Sequence, residues 1–158
     1  MSKFQCKIDR QGTKLSLQLA GVIDEDADFS PLGLNGAQEV HIDMDGVKSI
    51  NSCGIREWIK WIGGGAAAKV TYSKCPKVIV DQMNMVDGFL PNFAKVESFY
   101  VPYYNEESGS EKNILFRYGV EFKEGQVQPP TEVKDEGGNP MEMDVIENKY
   151  FKFVKSKG

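Results

Sequence analysis

Two alternating runs open the chain. Over residues 3–10 (KFQCKIDR), Phe4, Cys6 and Ile8 share one side. Over residues 14–23 (KLSLQLAGVI), Leu15, Leu17 and Leu19 do the same. Period two on both sides of a QGT break predicts a β-hairpin whose second strand ends near Gly21. Residues 24–29 (DEDADF) read as an acidic loop or short helix with a solvated face. Alternation returns over residues 37–44, where Val40, Ile42 and Met44 oppose His41 and Asp43, and GVKSI extends the strand to Ile50. From Ser52 the period changes. Ile55, Trp58, Ile59 and Ile62 fall at i, i+3, i+4 and i+7, one face of a helix, which the glycines at 63–65 stop. A strand over 68–73 follows. Pro76 then opens a second helix, with Ile79, Met83 and Val86 inward and Gly88 at its end, before a strand over 95–101.

Strands alternating with helices predict an α/β fold, a mixed β-sheet with helices packed on it and an antiparallel strand at its edge. The texture changes after residue 104. A polar turn (NEESGSEK) leads into a strand over 113–122, and residues 123–140 are too rich in Gly, Pro and charge to be regular. The closing YFKFV reads as a strand or short helix. We therefore expect one domain over 1–104 and a small β-rich C-terminal appendage over 105–158.

Composition narrows the function classes. Nine Phe, six Tyr and two Trp among 158 residues are enough for a packed core. The net charge of −4, with no Lys/Arg cluster, argues against a nucleic-acid partner. No apolar run approaches the ~18–20 residues of a membrane span, and no basic-then-apolar leader opens the sequence. Cys6, Cys53 and Cys75 are few and widely spaced, which fits a reducing compartment. These features together predict a cytoplasmic protein.

Candidate chemistry concentrates at NSCG, residues 51–54. Asn51 or Ser52 is the expected helix N-cap, and a capping Ser52 would turn its hydroxyl to the backbone. The G-x-S-x-G elbow and the phosphate loop G-x-x-x-x-G-K-[ST] are both absent. Cys53 as a nucleophile would need a His and an orienting group; the single His41 lies one strand upstream, at the far end. We expect no enzyme, no catalytic residue and no cofactor. Cys53 itself reads as a small buried thiol, or alternatively as a redox-responsive one at a helix start.

Three segments in order carry a family resemblance: LSLQLAGVIDEDADF, EVHIDMDGVKSINSCGIREWIKWI and AKVTYSKCPKVIVDQMNMVDG. Across about residues 3–103 the chain resembles a STAS domain, the fold of bacterial anti-sigma-factor antagonists. In that family a D-S-S-G turn opens the helix, and its second Ser accepts a phosphate from a partner kinase. A helix start suits phosphate through its free N–H groups and dipole, and the added charge blocks docking. Here Asn51 stands for the Asp, Ser52 for the first Ser and Cys53 for the phospho-acceptor. The resemblance thus implies a signalling module with a partner-binding or phospho-switch surface at Asn51, Ser52, Cys53, Gly54, Ile55 and Trp58. Of Trp58 and Trp61, one would be core and the other an exposed anchor. The implied partner is a protein, an anti-sigma factor or kinase-like chain, with a homodimer as the weaker form. The alternative is a small-ligand module that takes a nucleotide or lipid at the helix start from Ser52 to Gly54.

The appendage holds two similar turns, N-E-E-S-G at 105–109 and K-D-E-G-G at 134–138. Written with cysteines they become paired C-x-x-C-G knuckles, and GNPMEMD follows the second. The tail resembles the C-terminal zinc ribbon of bacterial STAS-like chains. Its four ligand positions are Asn105, Ser108, Lys134 and Gly137, so the expectation is no zinc. Stability must then come from Phe116, Tyr118, Phe122, Tyr150, Phe151 and Phe153 packed against the first domain.

Overall fold

A computed structural model describes residues 3–156. The hairpin forms as its alternation predicts: β1 (Gln5–Gln11) pairs antiparallel with β2 (Lys14–Ile23), Ile8 opposite Leu17. β3 (Glu39–Ile50) then lies parallel to β2. Antiparallel neighbours need only a tight turn, whereas the parallel step from β2 to β3 takes the long 24–38 connection. α1 (Ser52–Ile62) leads through a 3-10 turn (Gly63–Gly65) into β4 (Lys69–Ser73). α2 (Lys77–Met85) crosses back to β5 (Ala94–Val96). The five strands stand in sequence order, with β2 to β5 parallel and β1 the antiparallel edge. The fold is α/β with a mixed sheet.

One face of this sheet is apolar. Leu15, Leu17, Leu19, Val40, Ile42 and Met44 are all buried, while the intervening Ser16, Gln18, His41 and Asp43 are not. Trp58 from α1 and Ile79, Val80 and Met83 from α2 close over the apolar face. Trp58 is the centre of this layer. Its ring stacks on Phe89 at 5.1 Å and meets Phe29 and Tyr72 edge-on, and its Nε1–H donates to Tyr72 Oη and the Phe89 carbonyl.

The strand expected over 95–101 is divided. β5 ends at Val96, and β6 (Ser98–Tyr104) joins a second sheet, ordered β10-β6-β7, with β7 (Glu111–Arg117) and β10 (Glu142–Met143) antiparallel to it. Glu97 is the switch, its N–H donating to Tyr72 O while its carbonyl accepts from Tyr118 N. The second sheet therefore begins at Ser98, ahead of the compositional change near Asn105. Beyond it come the short pair β8 (Phe122–Lys123) and β9 (Gln126–Val127), then α3 (Glu147–Tyr150) and α4 (Lys152–Ser156). The strand expected over 113–122 stops at Arg117, because residues 118–121 form a turn with Gly119 at φ 85°.

The aromatic residues of the tail pack together as expected from the sequence, except that Tyr118 is half-exposed. Phe99 of β6 is the hub, with ring centroids of Phe116, Phe122, Tyr150, Phe151 and Phe153 all within 6.3 Å. Hydrogen bonds tie this layer to the first. Cys75 N donates to Ser98 O, Tyr100 N to Cys75 O, and the Tyr150 hydroxyl to Tyr100 O. Asn84 on α2 donates to Tyr150 O and accepts from Phe153 N.

Candidate functional site

The β3–α1 junction is built around Asn51. Its backbone is extended (φ −107°, ψ −179°), the geometry of an N-cap. Its side-chain oxygen accepts from Gly54 N at 2.9 Å, its N–H donates to Ile23 O at 3.1 Å, and its carbonyl accepts from Ile55 N. Asn51, not Ser52, is the cap, so the Ser52 hydroxyl is not committed to capping. Gly54 is buried against β2; a Cβ there would stand 2.1 Å from Ile23 O. The junction is thus clamped to the end of β2 at both Asn51 and Gly54. Ser52 and Cys53 sit exposed between the clamps, and Ile55 is half-buried.

Two expectations are corrected here. Cys53 is exposed rather than a small buried thiol, because it lies on the outward side of the first turn of α1, whose inward position is taken by Gly54. Trp58 is wholly buried and offers nothing to a partner; it lies on the same stripe as Gly54 and Ile62, the line of closest contact. Trp61 is not a free anchor either. It stacks on Phe29 at 5.0 Å and its Nε1–H donates to Leu32 O at 2.7 Å.

The sequence pattern gives no sign of Glu25 at this place. The Asn51 amide donates to its carboxylate at 2.9 Å, which holds the Glu25 carboxyl below its ordinary pKa. Carboxylate oxygens of Asp24, Glu25 and Asp26 converge to within 4.8 Å of one another beside it. The helix start is thus an exposed turn with an acidic neighbour, and negative charge there opposes an incoming anion.

His41 stands elsewhere. About ten residues of extended strand, roughly 30 Å, separate it from Cys53. His41 Nε2 lies 3.0 Å from Ser73 Oγ and 3.7 Å from Glu97 Oε2. A triad uses the two ring nitrogens for different partners, but here both partners compete for one, and Ser73 is buried. This constellation does not form a Ser-His-acid relay.

The two tail turns do meet, through a residue the knuckle pattern does not single out. Ser108 Oγ donates to Asp135 Oδ2 at 2.7 Å, while Asp135 Oδ1 accepts from Gly137 N and Asn139 N. Asn105 holds its own turn by accepting from Ser108 N, and reaches across to Pro140 O. Lys134 contributes its carbonyl to Lys112 Nζ, and Gly137 its amide. A carboxylate thus joins the two turns. The local D-x-G-x-N spacing is an Asp-turn signature, and that was the available clue.

These donors favour the charged form, Ser108 above all, and hold the Asp135 carboxyl well below the usual carboxylate range. A folded-state pKa below the unfolded one contributes stability above about pH 4, lost as pH falls further. Asp135→Asn should therefore melt at a lower temperature than wild type at neutral pH. That gap should shrink steadily in acid, as thermal melts across pH 2–7 would show; a constant gap would remove the charge from the account.

Among the described residues no helix is long and apolar enough to cross a membrane. No family model, no curated protein and no solved structure matches this chain.

Proposed function

We propose that the chain is a non-enzymatic regulatory module of the STAS-like kind, docking a protein partner at residues 51–53 and along the exposed side of α1. The observation that carries this is the junction itself. It is locked from beneath by Asn51 and Gly54, and it presents Ser52 and Cys53 outward, with His41 about a strand length away. Rigid exposed turns without catalytic neighbours are suited to recognition. The sheet order β1-β2-β3-β4-β5, with an antiparallel first strand and a turn-to-helix step after β3, supports the STAS-like reading. The acidic neighbour Glu25 weighs against the alternative of a nucleotide or other anion at the helix start. A hydroxyl at 52 and a thiol at 53 make Ser52 the hydroxyl acceptor this turn offers to a kinase.

Cysteine chemistry supplies the test. Cys53 is exposed, Cys6 is half-buried with its pKa pushed up to about 11 by desolvation, and Cys75 is wholly buried with its thiol pushed up further. Thiolates react, so a maleimide photocrosslinker should label Cys53 first. Irradiated in extract from its own cells, the labelled chain should give a discrete protein adduct. The same reagent on a Gln11→Cys, Cys53→Ser variant, at the distant hairpin turn, should not. Identical adducts from both positions, or none from Cys53, would refute docking at the junction.

A further inference from the structure

We propose that a groove between α2 and the α3–α4 segment is a second docking surface, for a partner-protein segment with large apolar side chains flanked by acidic ones. The groove encloses about 750 Å³. Its floor and walls are Tyr104, Met143, Val145 and Tyr150, with Met85 and Ile146 at its mouth. Those last two are the most exposed large hydrophobics among the described residues, at 71% and 65%. Scattered exposed apolar side chains need no explanation. Two that lie about sixty positions apart in the chain yet open on one groove form a patch. Methionine walls adapt to differently shaped side chains.

The groove is pre-formed. Asn84 lies in it and joins its walls, donating to Tyr150 O at 2.8 Å and accepting from Phe153 N at 2.9 Å. A groove held open in advance binds without the cost of ordering its walls.

Charge selects the occupant. Lys149, Lys152 and Lys155 run at i, i+3 and i+6 along α3–α4; the first two line the groove, and Lys155 bonds Asn148 at its edge. Among the described residues none of the three has a carboxylate within 4.0 Å. Among the lining residues Lys77 is neutralised by Asp81 at 2.8 Å and Asp144 opposes Lys149 and Lys152, which leaves one positive charge; at the edge Glu147 stands beside Lys155 in an adjoining hollow. The rim is therefore net positive on a chain that is net negative, which favours an acidic segment. A concave cleft between helices admits a peptide to Met143 and Tyr104, which a flat membrane surface would not reach. No residue of 51–54 lines this groove, so the surface is independent of the junction.

The test uses the full chain as bait for a random dodecapeptide library displayed on phage. Selected peptides should combine two or more large apolar residues with excess Asp and Glu. By fluorescence anisotropy, Met85→Ser and Ile146→Ser should each weaken them about tenfold, and Lys149→Glu/Lys152→Glu at least as much, with binding declining in salt. Ser52→Arg should leave the affinity unchanged. All five substituted positions are exposed, so melting temperatures report whether the variants remain folded. Basic or uncharged peptides, no binders, or affinities indifferent to Met85 and Ile146 would overturn the proposal. So would a concentration-dependent dimer abolished by Met85→Ser, which assigns the groove to a second copy. Co-sedimentation with anionic phosphatidylglycerol vesicles that depends on the three lysines would overturn it in favour of a lipid surface.

Discussion

Gly54→Ala should destabilise the protein by about 2 kcal/mol or more, although it replaces a helical glycine with the best helix former. Two effects compete. Helix propensity favours Ala by about 1 kcal/mol. Against this, the new methyl would stand 2.1 Å from Ile23 O and 2.7 Å from Ile23 C, both backbone atoms. Overpacking costs about 1–3 kcal/mol, more where nothing can give. Here little can give, because Ile23 O also accepts from Asn51 N. Moving it aside breaks the bond that seats the junction. Gly63→Ala is the control. That glycine has helical φ and no atom within 4 Å of an added Cβ, so the substitution should be neutral or stabilising by up to about 1 kcal/mol. Urea unfolding would compare them, with an unchanged m-value marking a change of stability alone. Equal midpoints for Gly54→Ala and wild type would mean the clamp between α1 and β2 is soft. The junction would then lose its claim to be a rigid docking point.

How far the sequence reveals this architecture depends on how local each signal is. The hairpin and the alternation of β2 and β3 against the helical stripe of α1 are local patterns, and each reappears in the structure. The break at Glu97 is not local. Val96, Ser98 and Phe99 continue as extended chain while the pairing partner changes from β4 to β7, and no periodicity within one strand records its neighbour. YFKFV alternates to the eye, yet its buried set is Tyr150, Phe151, Phe153 and Val154. Spacing of i, i+1, i+3 and i+4 is helical, and over one turn it is too short to separate from a strand. At the candidate site the turn was legible and its depth was not. Trp58 and Trp61 are three apart on one helix; the buried stripe through Gly54 takes Trp58, while Phe29 and the Leu32 carbonyl hold Trp61. Glu25 and Asp135 act across 26 and 27 residues of chain, through contacts that tertiary packing alone creates.

Phe99→Ala should cost about 3–5 kcal/mol, a large part of the ~5–15 kcal/mol that holds an ordinary domain together. Phe99 is wholly buried and touches five other aromatic rings from three separate stretches of the tail. Its removal leaves a cavity that those stretches cannot jointly close, since Phe116 and Phe151 already stack on each other at 5.9 Å. The more telling result is how the loss spreads. Both tryptophans lie in the α1 layer, far along the chain from the tail, so their fluorescence reports that layer alone. If the aromatic hub were a separate small domain, Phe99→Ala would loosen residues 105–156 and leave the tryptophan transition where it was. The bonds from Cys75 to Ser98 and Tyr100, and from Asn84 to Tyr150 and Phe153, instead make the two sheets one cooperative unit. Tryptophan fluorescence, far-UV circular dichroism and protease resistance of the tail should therefore fall together, at one lowered denaturant midpoint. A fluorescence midpoint that stays with wild type while the tail becomes protease-sensitive would show that the layers fold separately, and that the groove between them is held by the tail's own stability.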